Sequence, residues 1–217
     1  MSIFDRLHTF LINKSSKHNA KTMMQENSRI IGEGVRSELD GPSGRRISEL
    51  LLLNWPQSEI SQLLTHELIQ YIYLETLYHA RRNRDVIEEV VEKYPNLNKE
   101  QATSIVISVA SKANSIFSRI RMVDIGIRWY EWSTCKDARV RPSHRKMEGV
   151  LVSWAEPPSP ERLIGKPPIG TYHAGEGIEC RCCAFAVVDP DYIKFPRRVY
   201  WGGQIRVMKK AEFMKIF

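Results

Sequence analysis

Apolar positions in the first half of the chain recur at helical spacing. Ile3, Phe4, Leu7, Phe10 and Leu11 share one side of a predicted helix over 2–14. Residues 17–38 have helical composition with a thin stripe of Met23, Met24, Ile30, Ile31 and Val35. Asp40-Gly41-Pro42-Ser43-Gly44 combines two glycines with a proline and predicts a break, before a short apolar helix over 46–54 that Pro56 ends. The longest regular pattern is 57–82, where Ile60, Leu63, Leu64, Leu68, Ile72, Leu74 and Leu77 return mostly at three- and four-residue intervals behind Gln57 or Ser58. A second helix is expected from Asn83 or Asp85 to Lys93, and Tyr94-Pro95-Asn96 breaks the chain after it. Asn98 and Gln101 have capping-box spacing and open another helix to about Ile120, burying Ile105, Val106, Val109 and Ile116.

From Ile125 the grammar changes. Ile127–Thr134 is rich in aromatic residues and predicts a strand, Val150–Trp154 a second and Cys180–Val188 a third. Residues 155–177 hold five prolines and four glycines and predict a long irregular loop. Val199–Trp201 and Gln204–Val207 flank Gly202-Gly203, the signature of a two-residue hairpin. The expected fold class is α+β: a helical region over 1–122, then a strand-and-loop region over 123–217 with a small antiparallel sheet and a basic hairpin and tail.

Composition narrows the function classes. The 217 residues are 42% hydrophobic and 26% charged, as in ordinary globular chains, so global disorder is not expected. The longest apolar runs fall short of a membrane span. Asp5, Arg6, His8 and Lys14 interrupt the only apolar region near the start, so no secretory signal core is expected and the four cysteines should be thiols or metal ligands. The net charge of +7 favours polyanionic partners. It is segregated: eight Lys/Arg face three carboxylates over 119–146, and seven face one over 194–217. Arg197, Arg198, Arg206, Lys209 and Lys210 are the candidate contacts to a DNA backbone, beside Phe195, Tyr200 and Trp201; a solvated basic tail is the alternative.

Two clusters carry candidate chemistry. In a strand, Cys180 and Cys182 point to one face and Cys183 to the other with Phe185 and Val187, where it reads as a small core residue. Cys180 and Cys182 with His144, and either Cys135 or His173, form a candidate tetrahedral zinc set. The alternative is a buried strand end, with His144 bonded to a backbone carbonyl or Asp137. Asp137 and His144 between Arg139 and Arg141 also suggest phosphoryl transfer or a small nuclease, although phosphate loops and deaminase motifs are missing. A zinc-stabilised nucleic-acid-binding module is a third class.

Trp132-x-x-x-x-Asp137-x-Arg139-x-Arg141-x-x-His144, then Gly149, a proline-rich stretch and Cys180-Arg181-Cys182, resembles the phage Mu F-like domain of the minor head, or head morphogenesis, proteins. The shared stretch runs from about Asn98 to Pro190. Thr134 sits one residue later than the family's threonine, and Ser118-Arg119-Ile120-Arg121 replaces an Arg-Thr-Glu that many members carry. The resemblance implies a virion protein of the capsid interior, present in the host cytoplasm during assembly and not an enzyme. Its implied partners are the portal protein, major capsid or scaffold protein and double-stranded DNA contacted without sequence preference, with no membrane partner. It also implies that Trp132, Asp137, Arg139 and Arg141 form a structural motif.

Overall fold

The computed structural model describes residue 34 and residues 36–217. The helix expected over 2–14 and most of that over 17–38 lie outside these residues. Residues 36–39 are helical, and α1 (Pro42–Leu51) follows almost at once. The expected break is confined to Asp40-Gly41, and a helix starts at Pro42 within the segment. Pro42 sits in the first turn, where its missing N–H costs nothing.

The single helix expected over 57–82 is instead broken into pieces. Ser58 and Ser61 form a reciprocal cap on the one-turn α2 (Glu59–Gln62). Thr65 then accepts from the Leu68 N–H at 3.2 Å and starts α3 (His66–Tyr73). Two capping residues seven positions apart restart the chain, so leucine periodicity continues across a turn. A π-helical turn, Leu74–Tyr78, carries α3 into the loop before α4 (Asn83–Lys93). The Asn98–Gln101 capping box opens α5 (Lys99–Asp124), a turn longer than expected. Ile47 and Leu51 of α1, Leu68 and Ile72 of α3, and Val86 and Val90 of α4 close on Ile105, Val109 and Ile116 of α5.

Five strands follow: β1 (Trp129–Ser133), β2 (Leu151–Ser153), β3 (Cys183–Ala186), β4 (Arg197–Trp201) and β5 (Gln204–Met208). A short helix, α6 (Pro142–Met147), interrupts the first pair, and α7 (Lys210–Phe213) follows the last. The sheet order is β3-β1-β2-β4-β5. It is mixed rather than antiparallel, because β2 and β4 run parallel at Leu151–Val199. The long connection between them returns the chain on the same heading, while the Gly202-Gly203 hairpin, both residues with positive φ, reverses it.

Each sheet face has its own core. Tyr130, Trp132, Val152 and Tyr200 pack with Met147, Tyr172, Ala174, Cys180 and Cys182. Trp129, Leu151, Val187 and Val199 lie on the opposite face with Phe213. Full burial of Phe213, worth roughly 1.5–3 kcal/mol, makes the basic C-terminal segment part of the fold. The expected core role of Cys183 is corrected. β3 starts only at this residue, and its pairing Ser133–Cys183 and Glu131–Phe185 puts Cys183 and Phe185 on an uncovered part of the sheet, where both are exposed. Cys180 and Cys182 do share a face, the aromatic one.

Candidate metal centre

Arg141-Pro142 starts α6, a helix not expected from the sequence because its six residues are too few to show a period. On this turn His144 and Met147 point inward, and His144 is 3% exposed. Its ring meets the Trp132 indole edge-on, with centroids 5.6 Å apart. Nδ1 lies 3.6 Å from Cys180 Sγ and 3.5 Å from Cys182 Sγ. The three ligand atoms lie within 4.8 Å of one another, and all three residues are buried.

The other ring nitrogen is tied into a polar chain. Nε2 is 3.1 Å from the Tyr172 hydroxyl, which donates to Glu161 Oε1 at 2.8 Å, and Ser143 Oγ donates to the same oxygen at 3.1 Å. With the Tyr172 proton directed to Glu161, its oxygen accepts from His144 Nε2–H. This network assigns the tautomer whose Nδ1 lone pair faces both sulfurs.

The loop that carries Cys180 is held by a polar stripe on α5. Ser108 Oγ accepts from the Glu179 N–H at 2.9 Å. Ser111 donates to the carbonyls of Gly175 and Cys180, and Ser115 to that of Ala174. One turn on, Arg119 pairs with the buried Glu176 at 3.4 Å. Gly175 has φ +87°, and a Cβ there would stand 3.0 Å from Ser115 Cβ, so the close approach requires glycine. Ser108, Ser111, Ser115 and Arg119 recur every three or four residues. That polar period is legible in the sequence, but it lies outside the apolar stripe that marks the helix.

Electrostatics follow the packing. The Cys182 thiol, hydrogen-bonded to Cys180, holds the Cys180 pKa well below the ordinary thiol value, and the Cys180 sulfur pushes Cys182 up in turn. Burial and then Glu161 push Tyr172 up, so it stays protonated. His173 does not join the cluster. Its Nδ1 is 3.1 Å from the Tyr130 hydroxyl, its ring packs on Trp154, and burial lowers its pKa to about 3.

The remaining motif residues ring the cluster. Arg181 bonds both carboxylate oxygens of Asp137, at 2.6 and 2.8 Å, and the Arg139 N–H donates to Asp137 Oδ1. Arg141 donates to the Ile178 carbonyl at 2.6 Å. Thr134 donates twice to Glu148, fixing the end of β1 against the end of α6. Asp137 therefore pairs with Arg181, while His144 faces Tyr172 and two sulfurs; the structure does not assemble them as an acid–base pair. Cys135 is exposed and lines a cleft of about 270 Å³ together with His144, Cys180, Cys182, Arg139 and Arg141.

The five basic candidates differ in their freedom. Arg197 pairs with Glu131 at 2.5 Å, and Arg198 donates to the carbonyls of Lys146 and Glu148. Lys210 pairs with Asp191 at 2.8 Å. Arg206 and Lys209 are exposed. Among the described residues, no helix is long and apolar enough to cross a membrane.

Helices packed beside a small mixed sheet, with an imidazole and two thiols buried together on one sheet face, make this an α+β fold. Residues 80–185, a little under half of the chain, match the family model described as Phage Mu protein F like protein. The whole Trp132-to-Cys182 motif lies inside it. A Haemophilus influenzae protein described as uncharacterized is 27% identical over 121 residues, 56% of this chain and 25% of that protein. Minor head protein GP7 of Bacillus phage SPP1 is 32% identical over 79 residues, 36% of this chain and 26% of that protein. The chain thus spans about a quarter of the length of these curated relatives. No solved structure matches.

Proposed function

We propose that this chain acts as a minor head protein of a tailed phage or prophage. It sits in the capsid interior at the portal, with major capsid or scaffold protein as neighbours, assists head assembly, and contacts double-stranded DNA without sequence preference during packaging or ejection. The observation that carries the reading is the Mu F-like match over 80–185, supported by the similarity to a protein named as a minor head protein. The role is one of assembly rather than turnover. The Asp137–Arg181 pair and the serine stripe of α5 give the domain a fixed shape, and the helical region offers surfaces for protein neighbours. Exposed Arg206 and Lys209 supply a sequence-independent attraction for phosphates.

Sedimentation of heads from a lysogen carrying an epitope-tagged copy tests the reading. The expected result is tag in DNA-free and DNA-filled heads, resistant to added nuclease and protease and crosslinked to the portal protein. Tag confined to the top of the gradient would overturn it.

A further inference from the structure

We propose that His144 Nδ1, Cys180 Sγ and Cys182 Sγ bind one zinc ion, and that Cys135 closes the coordination shell. Zinc bonds of about 2.05 Å to nitrogen and 2.3 Å to sulfur at tetrahedral angles put a ligand nitrogen and a ligand sulfur about 3.5–3.6 Å apart. Nδ1 lies 3.5 and 3.6 Å from the two sulfurs. A hydrogen bond accounts for one of these contacts, because the neutral ring has a single lone pair at Nδ1. An ion shared by all three atoms accounts for both.

The surroundings have the character of a second shell. The chain from His144 through the Tyr172 hydroxyl to the Glu161 carboxylate fixes the ring and leaves Nδ1 to ligate, as outer-shell carboxylates do in zinc proteins. The Trp132 indole N–H is fully buried beside the imidazole and has no nitrogen or oxygen acceptor. A thiolate sulfur in this pocket supplies the acceptor it lacks. Two thiolates and an imidazole also select a soft divalent ion over calcium or magnesium.

His144, Cys180 and Cys182 line the cleft that the exposed Cys135 also lines, and Cys135 would move its sulfur inward to complete the shell. Structural zinc sites are closed by four protein ligands, and Cys135 is the remaining thiol at the cleft. On binding, the coordinating thiols release their protons to solvent and the ion takes their sulfur lone pairs, with no change of oxidation state.

Cobalt(II) titration of the reduced full chain, followed by visible and near-ultraviolet absorption, tests the site. Wild type is expected to give tetrahedral d–d bands and sulfur-to-metal charge transfer at one ion per chain, displaced by zinc. Cys135→Ser should lower the charge-transfer intensity by one thiolate in three, whereas Cys183→Ser should leave the spectrum unchanged. Tyr172→Phe should weaken affinity about 10- to 100-fold with the band positions kept. Absence of charge transfer in wild type would overturn the site itself, a result that no variant's folding can obscure. An unchanged spectrum in Cys135→Ser would overturn the fourth ligand.

Discussion

The guanidinium of Arg181 grips the carboxylate of Asp137 through bonds of 2.6 and 2.8 Å, joining positions 44 residues apart in sequence. Arg181 stands between the two buried cysteines, and Asp137 lies on the segment leading to His144. The pair therefore ties together the two chain segments that make the cluster. A lysine lacks the planar fork, so Arg181→Lys should lose the bidentate geometry despite keeping the charge. The expected outcome is a melting temperature lower by a few degrees and faster amide exchange in β3. The Arg181 bonds hold the Asp137 carboxyl well below the usual carboxylate range. A depressed folded value contributes stability above the unfolded value near 3.8, lost as pH falls below it. In wild type this contribution should persist down to pH 4, which a melting series in wild type and Asp137→Asn checks.

Lys112 gives an alkaline counterpart. The residue is 2% exposed, and its ammonium donates to the Leu53 carbonyl and sits 4.0 Å from the centre of the Trp55 ring. Burial lowers its pKa from 10.5 to about 8. Between those values the unfolded chain holds a proton that the folded one has released, so stability rises with pH through this window, by up to roughly 3 kcal/mol. Lys112→Met should flatten the rise in denaturant titrations between pH 8 and 10.5.

His173 acts at the acid end. Burial holds its folded pKa at about 3 against an ordinary 6.5, so the unfolded chain gains a proton first. Stability should decline as pH falls from 6.5 towards 3, and His173→Phe should remove part of that slope. Equal slopes in the two proteins would contradict the assignment of a buried neutral ring.

The serine stripe predicts a site-specific cost. Ser111→Ala leaves the Gly175 and Cys180 carbonyls without a donor and should destabilise by about 1–3 kcal/mol. Thr103→Ala, on the exposed side of the same helix, should change stability by less than about 0.5 kcal/mol. Urea unfolding of both variants separates a loop anchor from a general helix effect.

How much of this was readable in the sequence depended on the range of the interaction. The Asn98 capping box and the Gly202-Gly203 turn were legible because the cap and the pair that closes the turn each span three residues. The helix over 57–82 was misread because Thr65 looks like an ordinary polar position until its side chain is seen capping Leu68. Strand alternation predicted Cys180 and Cys182 together, and both do reach one buried cluster, although they precede β3 and lie on the loop that α5 holds. The relay through Tyr172 and Glu161 did not, since it joins residues 11 and 28 positions apart across an irregular loop. The exposure of Cys183 turned on which face of the sheet remained uncovered, a property of the whole fold.

Basic residues should separate by their partners. Neutralising Arg206 and Lys209 should each reduce the slope of log affinity for duplex DNA against log salt by about 1, with melting unchanged. Arg197→Ala and Arg198→Ala should lower stability instead, because their guanidiniums are bound to Glu131 and to the Lys146 and Glu148 carbonyls. Fluorescence anisotropy at several salt concentrations reads the first effect.

In the proposed reading, a metal held by His144, Cys180 and Cys182 organises the second part of the 80–185 segment. Metal analysis of chain purified without added zinc, paired with melting before and after a strong chelator, tests it most directly. Close to one zinc per chain is expected, with a large fall in melting temperature on chelation that added zinc reverses. Metal-free protein whose melting temperature changes with neither chelator nor zinc would contradict it.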